Sequence, residues 1–74
     1  MNDNLELLKR NLVDLREEQF WTQTEVSKKL GISQRAYSHY ENGTRQFPLD
    51  LLIKTARLYS VSTDYLLGLS NSRK

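Results

Sequence analysis

Residues 33–42, SQRAYSHYEN, carry hydrogen-bonding side chains at spacings that a helix would gather on one face. With Tyr37 and Tyr40 turned inward and about 100° between successive residues, Arg35, Ser38, His39 and Asn42 point outward. Gln34 lies on the flank at the N-terminal end, and Glu41 falls near the edge of the buried side. The outward face holds no negative charge, whereas a face meant only for solvent would more often carry Glu, a good helix former. Arg can grip guanine O6 and N7 together, and Gln can do the same with adenine N6 and N7. On the helical wheel alone, this chemistry stands beside a plainer alternative, a polar helix face that meets only water.

Other chemistries find little support. Glu17 and Glu18 are adjacent, so on a helix they diverge by about 100° and do not form an acid/base pair. His39 has neither Cys nor carboxylate three or four residues away, and no Gly-rich phosphate loop is present. With no Cys and one His, most metal sites and nucleophile–base pairs are removed. No catalytic residue, metal ligand or cofactor is therefore expected. Thr22 and Gln23 open a predicted helix, whose free N–H groups and partial positive charge suit a phosphate. Thr22 serves equally well as a simple N-cap.

The elements that must position these residues are helical. The chain has 74 residues, 38% hydrophobic and 27% charged, with one Pro and three Gly, too few for an all-β fold with many tight turns. Leu5, Leu8, Leu12 and Leu15 stripe a helix over about residues 4–18, preceded by a capping-box pattern at Asp3 and Glu6. A second capping box, Thr22-x-x-Glu25, opens a helix through Val26 to Leu30, which Gly31 ends. Ser33 caps a third helix that Asn42-Gly43 closes. Val26, Leu30, Ile32, Tyr37 and Tyr40 would form the seam of this pair, with Ser27 small at the crossing. After a loop over residues 44–47, Pro48 suits the first turn of a fourth helix, with Leu49, Leu52, Ile53, Ala56 and Tyr59 as its apolar face. Ser62 caps a short fifth helix that turns Tyr65 and Leu66 inward and stops at Gly68. The domain is expected over residues 4–68, with 69–74 a short flexible tail.

Charge is uneven. Residues 1–26 sum to −3, residues 27–48 to +3 and residues 49–74 to +2, so an anionic partner would be drawn to the middle. The start of the chain lacks the basic, then apolar pattern of a secretory signal, and no segment approaches a membrane span. A cytoplasmic location is expected.

Leu15-Arg16, Thr22-Gln23, Leu30-Gly31-Ile32-Ser33 and Tyr40-Glu41-Asn42-Gly43, followed by Val61-Ser62 and Asp64-Tyr65-Leu66-Leu67-Gly68, resemble the phage Cro/repressor-type, or XRE-like, helix-turn-helix family. The likeness spans about residues 5–68. It implies an all-α, compact five-helix lambda-repressor-like domain with the helix-turn-helix at helices two and three. It also implies a transcriptional regulator, usually a repressor, that binds a palindromic double-stranded DNA operator as a homodimer. By resemblance, Gln34, Arg35 and His39 read bases in the major groove, with a water-exposed or phosphate-facing role the alternative for His39; Ser38 joins them or touches a phosphate, and Gln23 contacts the backbone. Asn42, Thr44 and Arg45, after that helix, would approach phosphates on its other side; Arg45 as an ordinary loop charge is the alternative. The family pairs an Arg ending its first helix with the Glu of the third, here Arg16 and Glu41. The alternative is two exposed charges of no consequence. Three positions depart from the family pattern. Phe20 stands where Gly or a small polar residue is usual, Trp21 where Leu or Met is usual, and Thr55 at a commonly aliphatic site.

A helix-turn-helix module acting through protein contacts, as an antitoxin or regulator partner, is the competing function. Tyr59, Tyr65 and Leu69 would supply its apolar surface, or equally a homodimer seam.

Overall fold

Leu8, Leu12 and Leu15, spaced four and three residues apart, are 5%, 0% and 3% exposed, and they fix which side of the first helix faces inward. That helix, α1 (Asp3–Glu18), leads to α2 (Gln23–Leu30), α3 (Gln34–Asn42), α4 (Leu49–Tyr59) and α5 (Thr63–Leu66). The computed structural model describes residues 3–74, with side chains from Leu5 onward. The capping box expected at Asp3 and Glu6 lies outside the described residues. Leu5, the first leucine of the expected stripe, is 53% exposed.

Local signals set the helix ends. The Thr22 Oγ1 accepts from the Glu25 N–H at 3.1 Å, and the Glu25 carboxylate accepts from the Thr22 N–H at 2.9 Å, the reciprocal capping box. Ser33 and Ser62 cap α3 and α5 through side-chain oxygens that accept from Ala36 and Tyr65 N–H, each at 3.0 Å. Gly31, at φ 74°, ends α2 in the left-handed region, and Lys54 Nζ donates to the Leu30 carbonyl there at 2.8 Å. Pro48 sits at the N-cap of α4, one residue before the helix rather than inside its first turn.

Two apolar clusters share α4. Leu8, Leu12 and Leu15 of α1 meet Leu52, Ala56 and Leu66, joining α1, α4 and α5. Val26, Leu30 and Tyr37 meet Leu51, joining α2, α3 and α4. Adjacent leucines of α4 thus serve different clusters, and Phe47 packs against both. This corrects the expected apolar face of α4. The buried arc is Leu51, Leu52, Thr55 and Ala56, while Leu49 and Ile53 are 73% and 42% exposed. A helix wedged between two partners buries an arc centred between them, so a single stripe chosen from sequence misplaces its centre. Thr55 is tolerated at 0% exposure because its hydroxyl donates to the Leu51 carbonyl at 2.7 Å.

Side-chain ties close the fold. Asn11 Nδ2 donates to the carbonyls of Tyr65 and Leu66 at 2.9 and 3.2 Å, so α1 satisfies the end of the short α5. Within residues 69–74, Arg73 contacts the body of the domain. Arg73 grips Glu18 through two bonds of 2.9 and 2.6 Å, lies over the Tyr65 ring, and accepts the Ser62 N–H at its carbonyl. The Glu18 carboxyl is held below its ordinary range by the Arg73 hydrogen bond. The pair is solvent-exposed, so it directs the tail's path more than it stabilises the fold.

The loop after α1 carries local strain. Trp21 N–H bonds to the Arg16 carbonyl and Phe20 N–H to that of Glu17, the paired pattern of a left-handed helix stop. The residue in the left-handed conformation is Phe20, at φ 60° and 92% exposed. A side chain there costs roughly 1–2 kcal/mol relative to an unstrained conformation, and this one recovers almost no burial. We expect Phe20→Gly to raise unfolding stability by about 1 kcal/mol in urea titration. A loss of similar size would show that the Phe20 ring is held by contacts.

Candidate nucleic-acid interface

Tyr37, buried at 0% exposure, sets the rotation of α3. Gln34, Arg35 and Asn42 are exposed, Ser38 and His39 are half-buried, and Tyr40 leans on Phe47 with ring centroids 5.5 Å apart. The outward face therefore carries the expected side chains, with Ser38 and His39 less open than the wheel suggests. Local bonds account for both. His39 Nδ1 lies 2.9 Å from Thr44 Oγ1, and the Thr44 hydroxyl is 3.2 Å from the His39 carbonyl. Asn42 Nδ2 approaches Ser38 Oγ at 3.4 Å. Arg35 forms no ion pair among the described residues, and Arg45 is exposed in the loop after α3.

Glu41 lies deeper than the edge position expected for it, at 5% exposure. Its Oε2 accepts from Arg16 Nε at 3.1 Å and from the Tyr37 hydroxyl at 2.6 Å. Its Oε1 accepts from Arg16 Nη2 at 3.1 Å and from Gln23 Nε2 at 2.9 Å. Four bonds match the roughly four lone-pair directions of a carboxylate. Arg16 and Glu41 thus form a two-point pair, and Arg16 Nη1 also donates to the Trp21 carbonyl at 3.0 Å, pinning the loop between α1 and α2. Burial pushes the Glu41 carboxyl up, but the hydrogen bonds from Arg16, Tyr37 and Gln23 outweigh it and hold the group below its ordinary 4.5. Burial, then the bond to Glu41, drives the Tyr37 hydroxyl well above its usual range.

Two of these bonds were not anticipated. The sequence places Tyr37 in the apolar seam, although its spacing of four from Glu41 sets both on one helix face. The sequence offers Gln23 only as a partner for phosphate, and no sequence rule links it to a residue eighteen positions away. Lys29, also unanticipated, lies 4.5 Å from the centre of the Trp21 ring.

The apolar surface considered for a protein partner is largely used internally. Trp21 stacks on Tyr59 at 5.8 Å, and Tyr59 packs against the core, where its hydroxyl is buried without a partner among the described residues. Burial pushes that hydroxyl up to about 12. Tyr65 is half-buried beneath Arg73, which leaves Leu69, 64% exposed.

Residues 12–66 match the profile of the helix-turn-helix family. The chain belongs to the helix-turn-helix family. It is the XRE-like branch that the sequence resembles. Among helix-turn-helix relatives in Bacillus subtilis (strain 168), the chain is 43% identical to the HTH-type transcriptional regulator ImmR over 61 residues, 82% of this chain and 48% of ImmR. It is 40% identical to the uncharacterized HTH-type transcriptional regulator YobD over 62 residues, 84% of this chain and 55% of YobD. It is 38% identical to YqaE, another uncharacterized regulator of that type, over 68 residues, 90% of this chain and 59% of YqaE. The chain thus spans about half the length of these helix-turn-helix relatives. No solved structure matches it.

The ion pair makes a pH prediction with a definite sign. Because the folded Glu41 carboxyl lies below its ordinary 4.5, its stabilising contribution is complete above that value and is lost as pH falls through the lower folded value. Arg16→Met leaves a buried carboxylate without its cation and should cost about 3–5 kcal/mol at neutral pH. Urea unfolding should show that loss narrowing in acid, where the carboxylate takes a proton. A loss below about 1 kcal/mol at neutral pH would mark the pair as inconsequential.

Proposed function

We propose that this chain is a sequence-specific double-stranded DNA-binding domain of a transcriptional regulator, acting as a repressor with α3 in the major groove. One observation supports this most directly. Glu41, the single acid of residues 27–48, is turned inward onto Arg16, so the outward face of α3 meets a partner without negative charge. Gln34, Arg35, Ser38 and His39 read base edges. Thr22 and Gln23 contact phosphate at the start of α2, and Asn42, Thr44 and Arg45 do so beyond the end of α3. The relatives' names as transcriptional regulators point the same way.

The operator is a palindrome read by a homodimer, because one domain of this size spans a single half-site. The protein acts in the cytoplasm; no helix among the described residues is long and apolar enough to cross a membrane. No catalytic step and no cofactor belongs to this function.

Selection of bound duplexes from a random pool tests the proposal and gives the half-site spacing. Enrichment of a two-fold symmetric sequence is expected, with affinity falling steeply as salt rises. Recovery of no preferred sequence, together with salt-insensitive association with a protein, would favour an antitoxin-like module. On the selected duplex, Arg35→Ala should cost ~1–3 kcal/mol and relax preference at one base position. Gln23→Ala should weaken all sequences about equally; a loss confined to one base pair would contradict its phosphate role.

A further inference from the structure

Gln23 is the donor to Glu41 that the fold needs least. Arg16 already bridges both carboxylate oxygens, and Tyr37 adds a second bond to Oε2, so α1 and α3 are joined without it. Gln23 is only part-buried, where water would satisfy its amide equally well. Its Nε2 nevertheless donates to Glu41 Oε1 at 2.9 Å. That nitrogen carries two hydrogens, and the second has no acceptor among the described residues.

We propose that Glu41 is a positioning residue for DNA binding: its carboxylate holds the Gln23 carboxamide in one orientation and leaves the second Nε2 hydrogen to donate to a DNA phosphate. This rests on the DNA-binding function proposed above. A free glutamine side chain samples many rotamers and loses them when it grips a ligand. Here that loss occurs on folding, so the phosphate contact forms with less ordering on association. Glu41 belongs to α3 itself. The same carboxylate therefore fixes the distance between a backbone contact from α2 and the base-reading face of α3. Its own charge does not repel the phosphate strongly, because Arg16 faces it through two nitrogens.

A double-mutant cycle on a duplex from the random-pool selection tests this, with each variant's folding checked by urea titration. In the wild-type background, Gln23→Ala is expected to weaken binding about tenfold, equivalent to about 1.4 kcal/mol. In a Glu41→Gln background the same substitution should cost about threefold or less. A Glu41 that served the fold alone would lower stability yet leave the Gln23→Ala loss unchanged, so equal losses in both backgrounds overturn the proposal. No loss in the wild-type background overturns instead the phosphate role of Gln23 itself. Side-chain ¹⁵N relaxation of the free wild-type protein gives a second readout that needs no folded Glu41 variant. The Gln23 amide should be as rigid as the α2 backbone, and mobility equal to that of exposed Gln46 would also overturn the positioning role.

Discussion

The carboxylate of Glu41 is the interaction on which the arrangement of α1 against α3 depends, with α2 adding one further bond. It is a buried charge, costly unless every lone pair is answered. Arg16 from α1, Gln23 from α2 and Tyr37 from α3 answer it with four hydrogen bonds. Apolar packing alone allows helices to slide or rotate by small amounts at little cost, because contacts between leucines are non-directional. A fully bonded carboxylate does not, since a shift that breaks one bond leaves a charged acceptor exposed to a low-dielectric interior. The net stability such a cluster adds is small compared with the penalty for breaking it. Its role here is to fix one geometry among several that a core of leucines would accept.

The remaining fold is economical for that purpose. A chain of this length buries too little surface for separate layers, and α4 compensates by facing two clusters with adjacent leucines. Leu51 secures the pair α2 and α3, Leu52 secures α1 and α5, and Phe47 bridges the two from the loop before α4. The cysteine-free chain thereby holds an exposed polar helix on an ordered scaffold. The cost appears at the margins, in the left-handed Phe20 and in the Tyr59 hydroxyl without a partner.

Charge follows the same division of labour. The mean of +2 conceals an acidic start, −3 over residues 1–26, and a basic middle, +3 over residues 27–48. Folding sharpens the contrast further, because the acid of the middle segment leaves the surface and the Arg16 that neutralises it comes from the acidic first helix. The exposed surface of the middle segment is thus more positive than its count along the chain conveys.

The sequence by itself determined the local structure. The helices of the described residues, their caps at Thr22, Ser33 and Ser62 and the stop at Gly31 are marked by interactions among residues a few positions apart, which do not depend on the long-range arrangement. The polar face of α3 was legible for the same reason, since 3.6-residue periodicity sorts inward from outward residues. Arg16 and Glu41 were paired through the family resemblance, not through any local rule. Only the tertiary structure decided which arc of α4 is buried, where Gln23 points, that Tyr59 turns inward and that Arg73 draws the tail onto Glu18. Each of these joins residues far apart in sequence, where chain order carries no distance information. Long-range geometry is fixed by packing all five helices together, and that is a property of the whole chain rather than of any segment.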